Sequence, residues 1–380
     1  MQLQFLSKKN KSTSAIGDIY SSQEFQIMLE RERARVERNG AEFTLIIFDV
    51  NPNVAPSRAI HAIDMIKKRA RITDVVGWLD SKRVGVFLPD TPEEGGWIFA
   101  QDVNTELVCS AISLPVHVFC YPPKIKDNVP NSFAMPGFPK NGSAKTCVKI
   151  VYNSEKQDIN TIFAKPTPFS KRLVDFFGAA LGLVLLTPVL IFTAIVIKLV
   201  SPGPVFFRQK RIGYKAKEFT LFKFRTMKVN SDSHVHEKHL QNLIASGKPM
   251  TKLDCKKDER IIPFGRFFRN TGIDELPQLI NVLKGEMSLI GPRPSMPYEA
   301  REFQLWHKKR FDVLPGITGA WQVNGKNKTT FKEMMRLDVL YTQKQNFGQD
   351  IKILLKTLPA IYDQIKDILL KRKEEPCISE

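Results

Sequence analysis

FFGAALGLVLLTPVLIFTAIVI, Phe176 to Ile197, is the stretch on which the architecture of this chain turns. Its 22 residues carry no charge and stand between Lys171, Arg172 and Asp175 on one side and Lys198 on the other. A straight helix of that length reaches roughly 33 Å, against a bilayer core of about 30 Å. The simplest reading is a single transmembrane helix. Two features oppose it. Thr187-Pro188 stands near the middle, where proline removes a backbone donor and kinks a helix. Basic residues also flank both ends, with Arg208, Lys210 and Arg211 following Lys198, and such flanks prefer the cytoplasmic side. A helix broken at Thr187 and Pro188 that re-enters on the same side satisfies both facts. It also keeps the parts before and after it in one compartment. A buried core helix is the third reading, opposed by the lack of any polar stripe.

The chain has 380 residues, enough for two domains that each bury a core. Its net charge of +18 is uneven: residues 1–165 hold 21 Lys+Arg against 18 Asp+Glu, and residues 166–380 hold 36 against 21. The basic excess of the second half calls for an anionic partner. Composition alone leaves nucleic acid, anionic lipid and a diphosphate substrate open. Cys109, Cys120, Cys147, Cys255 and Cys377 are scattered and form no C-x-x-C pair, which argues against a disulfide framework and a thiolate zinc site. A reducing cytosolic setting is expected. The polar start, Met1 to Tyr20, has no apolar core of a signal peptide.

Upstream of the apolar run, helical and strand patterns alternate. Phe25, Met28, Leu29 and Val36 share a helical face, Phe43 to Val50 is a β-rich run, and Ile60, Ile63 and Ile66 suggest a second helix. Val75–Leu79 and Arg83–Leu88 read as strands about a polar turn; Trp97–Ile112 as a helix; Pro115–Tyr121 and Thr146–Tyr152 as further strands. Pro122 to Gly142 reads as a long loop. Around Arg71-Ile72-Thr73-Asp74-Val75-Val76-Gly77 and Val84-Gly85-Val86-Phe87-Leu88-Pro89-Asp90-Thr91 the chain resembles the GGDEF region of diguanylate cyclases. The resemblance implies a ferredoxin- or palm-like domain, with Asp49 at the place of one metal ligand. The signature turn, however, reads Leu79-Asp80-Ser81-Lys82-Arg83 and lacks the glycines and the acidic pair. A degenerate domain used for regulation or self-association is expected, homo-oligomerisation included.

The chemistry lies downstream. Gly272-Ile273-Asp274-Glu275-Leu276-Pro277-Gln278 sets adjacent carboxylates before an expected helix, with Pro277 in its first turn. Such a helix start would offer free N–H groups to a phosphate. As an isolated motif, Asp274 reads first as a helix cap and Glu275 as a first-turn charge. Arg293, held between Pro292 and Pro294, can present a planar fork to a phosphate. The full set is Phe206-Phe207-Arg208-Gln209-Lys210-Arg211-Ile212-Gly213, Phe222-Lys223-Phe224-Arg225-Thr226-Met227, Phe264 to Arg269, Asp274-Glu275, Leu283 to Ser288, Gly291 to Pro294 and Pro315 to Gly319.

In that order and spacing, over about residues 169–365, the chain resembles the bacterial sugar transferase family of monotopic polyprenyl-phosphate phosphoglycosyl transferases. The resemblance implies transfer of a sugar 1-phosphate from a nucleoside diphosphate sugar, normally a UDP-sugar, to undecaprenyl phosphate, releasing UMP. It implies a covalent phosphosugar on Asp274, with Glu275 as acid/base or orienting partner. Magnesium is the implied cofactor, with Asp274 a ligand; a hard ion with oxygen ligands suits two phosphates beside a carboxylate. Arg293 and Arg269 are candidate phosphate ligands, and Lys223 and Arg225 serve the lipid phosphate or anionic headgroups, or form a solvated face. Pro315 to Asn327, with Thr318, Gly319, Trp321 and Gln322, is expected near the nucleotide. Trp321 either stacks on the base or lies in the core. Lys326 stands where many relatives carry arginine, and His234, His236 and His239 fall in a polar insertion rather than in a metal motif.

The expected class is α+β. A mobile lead-in (1–20) precedes the GGDEF-like domain (21–152), a linker (153–170) and the re-entrant membrane helix (171–200). A mainly α-helical monotopic catalytic domain (201–370) and a tail (371–380) follow. Ile351 to Leu370 interleaves apolar residues with Lys352, Lys356 and Lys366, which suits either a headgroup-plane helix or an ordinary packed surface helix. The implied partners are UDP-sugar, undecaprenyl phosphate and membrane lipid, not nucleic acid. The implied place is the bacterial inner membrane, with both domains on the cytoplasmic face. Two rival functions are a membrane-bound cyclic-dinucleotide signalling protein and a non-enzymatic scaffold on anionic lipid.

Overall fold

The computed structural model describes residues 19–50, 56–110, 112, 114–123, 159–229, 241–244, 247, 249–250, 260–325 and 329–371. The expectations for the lead-in before residue 19, the loop from Lys124, the strand Thr146–Tyr152, the three histidines and Lys326 lie outside those residues. The chain divides into two compact units, Met1–Ile159 and Asn160–Glu380.

In the first unit, α1 (Ser22–Asn39) is followed by β1 (Phe43–Asp49), α2 (Pro56–Arg69), β2 (Val75–Trp78), β3 (Arg83–Pro89), α3 (Glu93–Cys109) and β4 (Val116–Tyr121). Local signals bound α1: Ser21 and Glu24 form a reciprocal capping box, and Gly40 ends it at φ 71°. The sheet order is β2-β3-β1-β4 with every pair antiparallel. A β-α-β-β-α-β chain in that order is the ferredoxin-like arrangement. Strand periodicity sorts the sheet into two covered faces. Ile46, Phe48, Val84, Val86 and Leu88 meet Ile63 and Ile66 of α2 and Phe99 and Val103 of α3. On the opposite face Phe25 of α1 packs against Phe87, and its ring fills the space a Cβ at Gly77 or Gly85 would need.

The β2–β3 turn is closed on itself. Asp80 accepts from the backbone N–H of Lys82 and Arg83 at 2.8 and 2.9 Å and pairs with the Arg83 guanidinium at 2.7 Å. Asp49, the one match to a cyclase metal ligand, lies 3.3 Å from the His117 imidazole.

The second unit begins with a short helix, α4 (Asn160–Phe163), and the 32-residue helix α5 (Phe169–Val200). The hairpin β5 (Phe206–Ile212) and β6 (Glu218–Phe224) follows, then α6 (Gly265–Thr271), a 3₁₀ turn Ile273–Glu275, and α7 (Gln278–Lys284). After these come β7 (Ser288–Ile290), α8 (Pro297–Arg301), a 3₁₀ segment Leu305–Asp312, β8 (Gly316–Thr318), α9 (Ala320–Val323), α10 (Phe331–Lys344) and α11 (Phe347–Lys371).

Helix α5 runs through Pro188 without interruption, where the sequence suggested a break. Proline deletes one intrahelical bond, a loss that a long helix with packed neighbours tolerates. Both halves are held by the same unit. Ala179, Leu183 and Leu186 pack on Leu279 and Val282 of α7, while Leu190, Ala194 and Ile197 pack on Phe224, Ile262 and Phe268. The outward side stays bare and apolar, with Phe177, Leu181, Val184, Leu185, Phe192 and Leu199 all exposed.

Polar residues anchor both ends of α5. Lys171 donates to the carboxylate of Asp350 at 2.7 Å and to Ile290 O at 3.2 Å. Arg172 caps the C-terminus of α7 through Val282 O and Leu283 O, and Asp175 accepts from Leu289 N and Ser288 Oγ. Beyond the other end, Arg225 binds Ser201 O and Pro202 O.

Helix α11 carries the C-terminal stretch. It packs through Asp350, Ile353 and Thr357, while Phe347, Ile351, Leu354, Leu355, Leu358 and Tyr362 face outward. Its apolar stripe is uncovered rather than turned into the core.

Candidate active site

The β5–β6 hairpin supplies the first wall. Its register pairs Gln209 with Leu221 and Arg211 with Phe219, so Gln209, Arg211, Leu221 and Lys223 share a face. The second wall is the loop after β7. β7 and β8 are parallel, with Ser288 opposite Gly316 and Ile290 opposite Thr318. Gly291 N donates to Thr318 O at 2.9 Å and Gly316 N to Pro292 O at 2.9 Å. The backbones cross so closely that a Cβ at Gly316 would collide with Gly291, so only glycine fits there. That crossing sets Pro292-Arg293-Pro294 beside Gly316 and Ile317.

A pocket lies between these walls and the turn after α6. Arg211, Leu221, Lys223, Glu275, Gln278, Arg293, Pro294, Gly316, Ile317 and Gln322 line it. Lys223 Nζ lies 3.3 Å from Glu275 Oε1. Asn281 of α7 keeps the two elements together: its amide accepts from Phe222 N at 3.1 Å and donates to Thr220 O at 2.7 Å. Arg211 is buried and donates to Pro294 O at 3.0 Å and to Gln209 Oε1. Among the described residues, the Arg293 guanidinium has no hydrogen-bond or ion-pair partner.

Positive charge dominates this space. Burial pushes the Lys223 ammonium below its usual range; Glu275 opposes the shift, and Arg211 and Arg293 add to it. Burial and then the neighbouring Arg293 push Arg211 down to about 10. Cations that repel one another in a partly dry pocket favour an incoming anion.

Asp274 sits in the 3₁₀ turn directly before Glu275, buried and next to the pocket rather than among its lining residues. The expected helix start does not fall at Asp274. α7 is seven residues long and begins at Gln278 with Pro277 at its cap position. Asp274 therefore lies one turn upstream of α7, in the turn closed by Glu275 N to Gly272 O at 3.0 Å.

The other expected residues divide. Arg293, Lys223, Glu275, Pro294 and Gln322 come together; Pro292 supports the same loop. Arg269 lies on α6, outside the pocket lining. Arg225 departs from its expected headgroup role: it is buried, and both terminal nitrogens are spent on carbonyls at the end of α5. Trp321 belongs to the core with Phe303, Phe331, Met334 and Met335, its indole N–H on Thr329 Oγ1 at 2.7 Å. Thr318 bonds Thr357, and Gly319 lies against Gly291 O. Sequence reasoning missed Arg211 and Gln278. Arg211 shares its strand face with Gln209, a period-two signal that the hairpin pairing would have exposed.

For magnesium, the donors at hand are the adjacent carboxylates of Asp274 and Glu275. A magnesium ion held by one or two carboxylates plus substrate phosphates suits that donor set.

The family model for bacterial sugar transferases matches residues 167–364, just over half of the chain. The galactosyl transferase CpsE of Streptococcus agalactiae is 40% identical over 193 residues, covering 50% of this chain and 42% of that protein. The UDP-glucose:undecaprenyl-phosphate glucose-1-phosphate transferase of Xanthomonas campestris is 37% identical over 203 residues, covering 51% and 39%. The chain thus spans less than half the length of these two relatives. Among solved structures, a DGC protein from Thermotoga maritima is similar at TM-score 0.25 and 17% identity, covering 28% of this chain and 85% of that one. At that score it adds nothing to the strand order described above.

Proposed function

Because the chain belongs to the bacterial sugar transferase family, we propose that it transfers a sugar 1-phosphate from a UDP-sugar to undecaprenyl phosphate and releases UMP. The observation that carries this reading is the pocket in which Arg211, Lys223 and Arg293 surround Glu275 beside Asp274. Phosphoryl transfer needs positioning and charge stabilisation more than covalent chemistry from the protein. A pocket of three cations supplies both. The Xanthomonas relative is named for the same donor and carrier class.

In the proposed mechanism, an Asp274 carboxylate oxygen attacks the phosphorus that bears the sugar. The bond from that phosphorus to the oxygen of UMP breaks, and UMP leaves with the electron pair. A lipid phosphate oxygen then attacks the same phosphorus and the bond to Asp274 breaks, restoring the carboxylate. Arg293 and Arg211 hold the charge of the departing and entering phosphates. Lys223 keeps Glu275 aimed at the site through the contact already described. Asp274 and Glu275 would hold the magnesium, which supplies neutralisation of phosphate charge.

The reaction is placed at a membrane surface, on the cytoplasmic face of the inner membrane. Two observations support that placement. The bare side of α5 and the outward stripe of α11 are both apolar, as an interfacial helix requires. Both ends of α5 are tied to one compact unit, by Lys171 and by Arg225. Two ends held by the same domain support a helix that enters and stays on one side of the bilayer. For the N-terminal unit we propose regulation or self-association, supported by the self-satisfied turn at Asp80.

The test is UMP release by detergent-purified full-length protein with a panel of UDP-sugars, magnesium and undecaprenyl phosphate. Release that needs the lipid phosphate and is lost in Asp274→Asn supports the reading. Lipid binding without UMP release from any donor, in folded protein, overturns it.

A further inference from the structure

The backbone around Arg293 is gripped from three directions. Lys171 of α5 donates to Ile290 O, Arg310 donates to Arg293 O at 2.7 Å, and Arg211 donates to Pro294 O at 3.0 Å. Arg310 comes from the 3₁₀ segment Leu305–Asp312 and is locked by Asp338 of α10 at 2.6 Å; the two side chains are 2% and 1% exposed. Arg310 also lies over the Phe303 ring and against Met335 Sδ, among apolar neighbours.

Stability gives no reason for such a pair. Taking two charges out of water costs several kcal/mol per ion, and well-packed apolar replacements are often as stable or more so. What a hydrophobic replacement would lose is the bond to Arg293 O. That carbonyl belongs to the residue whose guanidinium stands unpartnered in the pocket.

We infer that Arg310, locked by Asp338, is a positioning residue that aims Arg293 at the substrate phosphates, an inference that rests on the function proposed above. Arg310 does not line the pocket itself. It holds the backbone from which the Arg293 fork projects. A bidentate contact to phosphate is directional, and a shift of about 1 Å in a positioning group can cost about 100-fold in rate.

The test is a double-mutant cycle on the full chain. Wild type, Arg310→Met/Asp338→Leu, Arg293→Ala and the triple combination are compared by melting temperature, kcat/KM for the UDP-sugar, and Kd for inorganic pyrophosphate. The paired replacement is used because Arg310→Met alone strands the Asp338 charge. The expected result is a melting temperature within a few degrees of wild type, with kcat/KM and pyrophosphate affinity each lowered at least about tenfold. In the Arg293→Ala background the same replacement should change neither value further, because its effect passes through Arg293. A folded double replacement with wild-type values overturns the inference, as does an effect undiminished when Arg293 is absent. If wild type binds pyrophosphate but turns over no UDP-sugar, the functional reading fails while the binding cycle still decides the positioning role. If it binds no pyrophosphate, the positioning role fails with it.

Discussion

Three cations and one carboxylate line the pocket, and each cation is fixed by a different kind of contact. Lys223 leans on Glu275, Arg211 is forked between Gln209 and Pro294 O, and among the described residues Arg293 keeps its donors free. Arg211→Lys keeps the charge but loses the fork. We expect it to lower kcat/KM at least about tenfold while the protein stays folded, measured by UMP release and thermal unfolding. Asp274→Asn removes the proposed nucleophile with little change of shape, so turnover should vanish with the melting temperature retained. His307 offers a separate check on the same unit. Burial, helped by Arg310, pushes its imidazole down to about 4 from the usual 6.5. The folded state thus holds it neutral, and its stabilising share is present above pH 6.5 and lost as pH falls toward 4. In urea unfolding, His307→Phe should flatten the decline of stability between pH 6.5 and 4; an unchanged slope would assign the decline to other groups.

Among the elements, α5 and α11 each bury a few charged residues, Lys171, Asp175 and Asp350, while exposing a row of large apolar side chains. Lys171 and Asp350 form one buried pair that joins the two helices, and the apolar faces point the other way. For a protein in water that inversion is costly, since each fully exposed large side chain forgoes about 1.5–3 kcal/mol of burial. For a protein docked on lipid it is the arrangement that lowers the free energy. Leu355→Glu/Leu358→Glu alters only exposed positions of α11. We expect membrane recovery in fractionation to fall several-fold while melting in detergent is unchanged.

The whole second unit ties both ends of α5 to itself, and this changes what Pro188 is expected to do. If the proline alone set a same-side topology, Pro188→Ala would send the C-terminal end across the bilayer. The anchors at Lys171 and Arg225 predict that both ends of the variant stay on the same face. Cysteines placed beside each end and labelled with an impermeant maleimide would decide it: equal protection from the periplasmic side agrees, and one-sided labelling refutes the anchoring account.

By itself the sequence determined the apolar run, the order of strands and helices in the first unit, and the motif set that contains Asp274, Glu275 and Arg293. These are local signals: a hydrophobic period, a proline beside a functional residue, a carboxylate pair at fixed spacing. Only the tertiary structure brought Arg211 into the pocket, took Arg225 and Trp321 out of it, and moved Asp274 off the start of α7. Each of those outcomes depends on contacts between residues distant in the chain. Lys223 meets Glu275 across 52 residues, and Arg225 reaches the end of α5 across 24. A basic or aromatic residue has the same local pattern whether it faces a substrate or a neighbouring carbonyl. The choice is made by which backbone group is left without a hydrogen bond when the elements pack, and satisfying that group is obligatory in a buried setting.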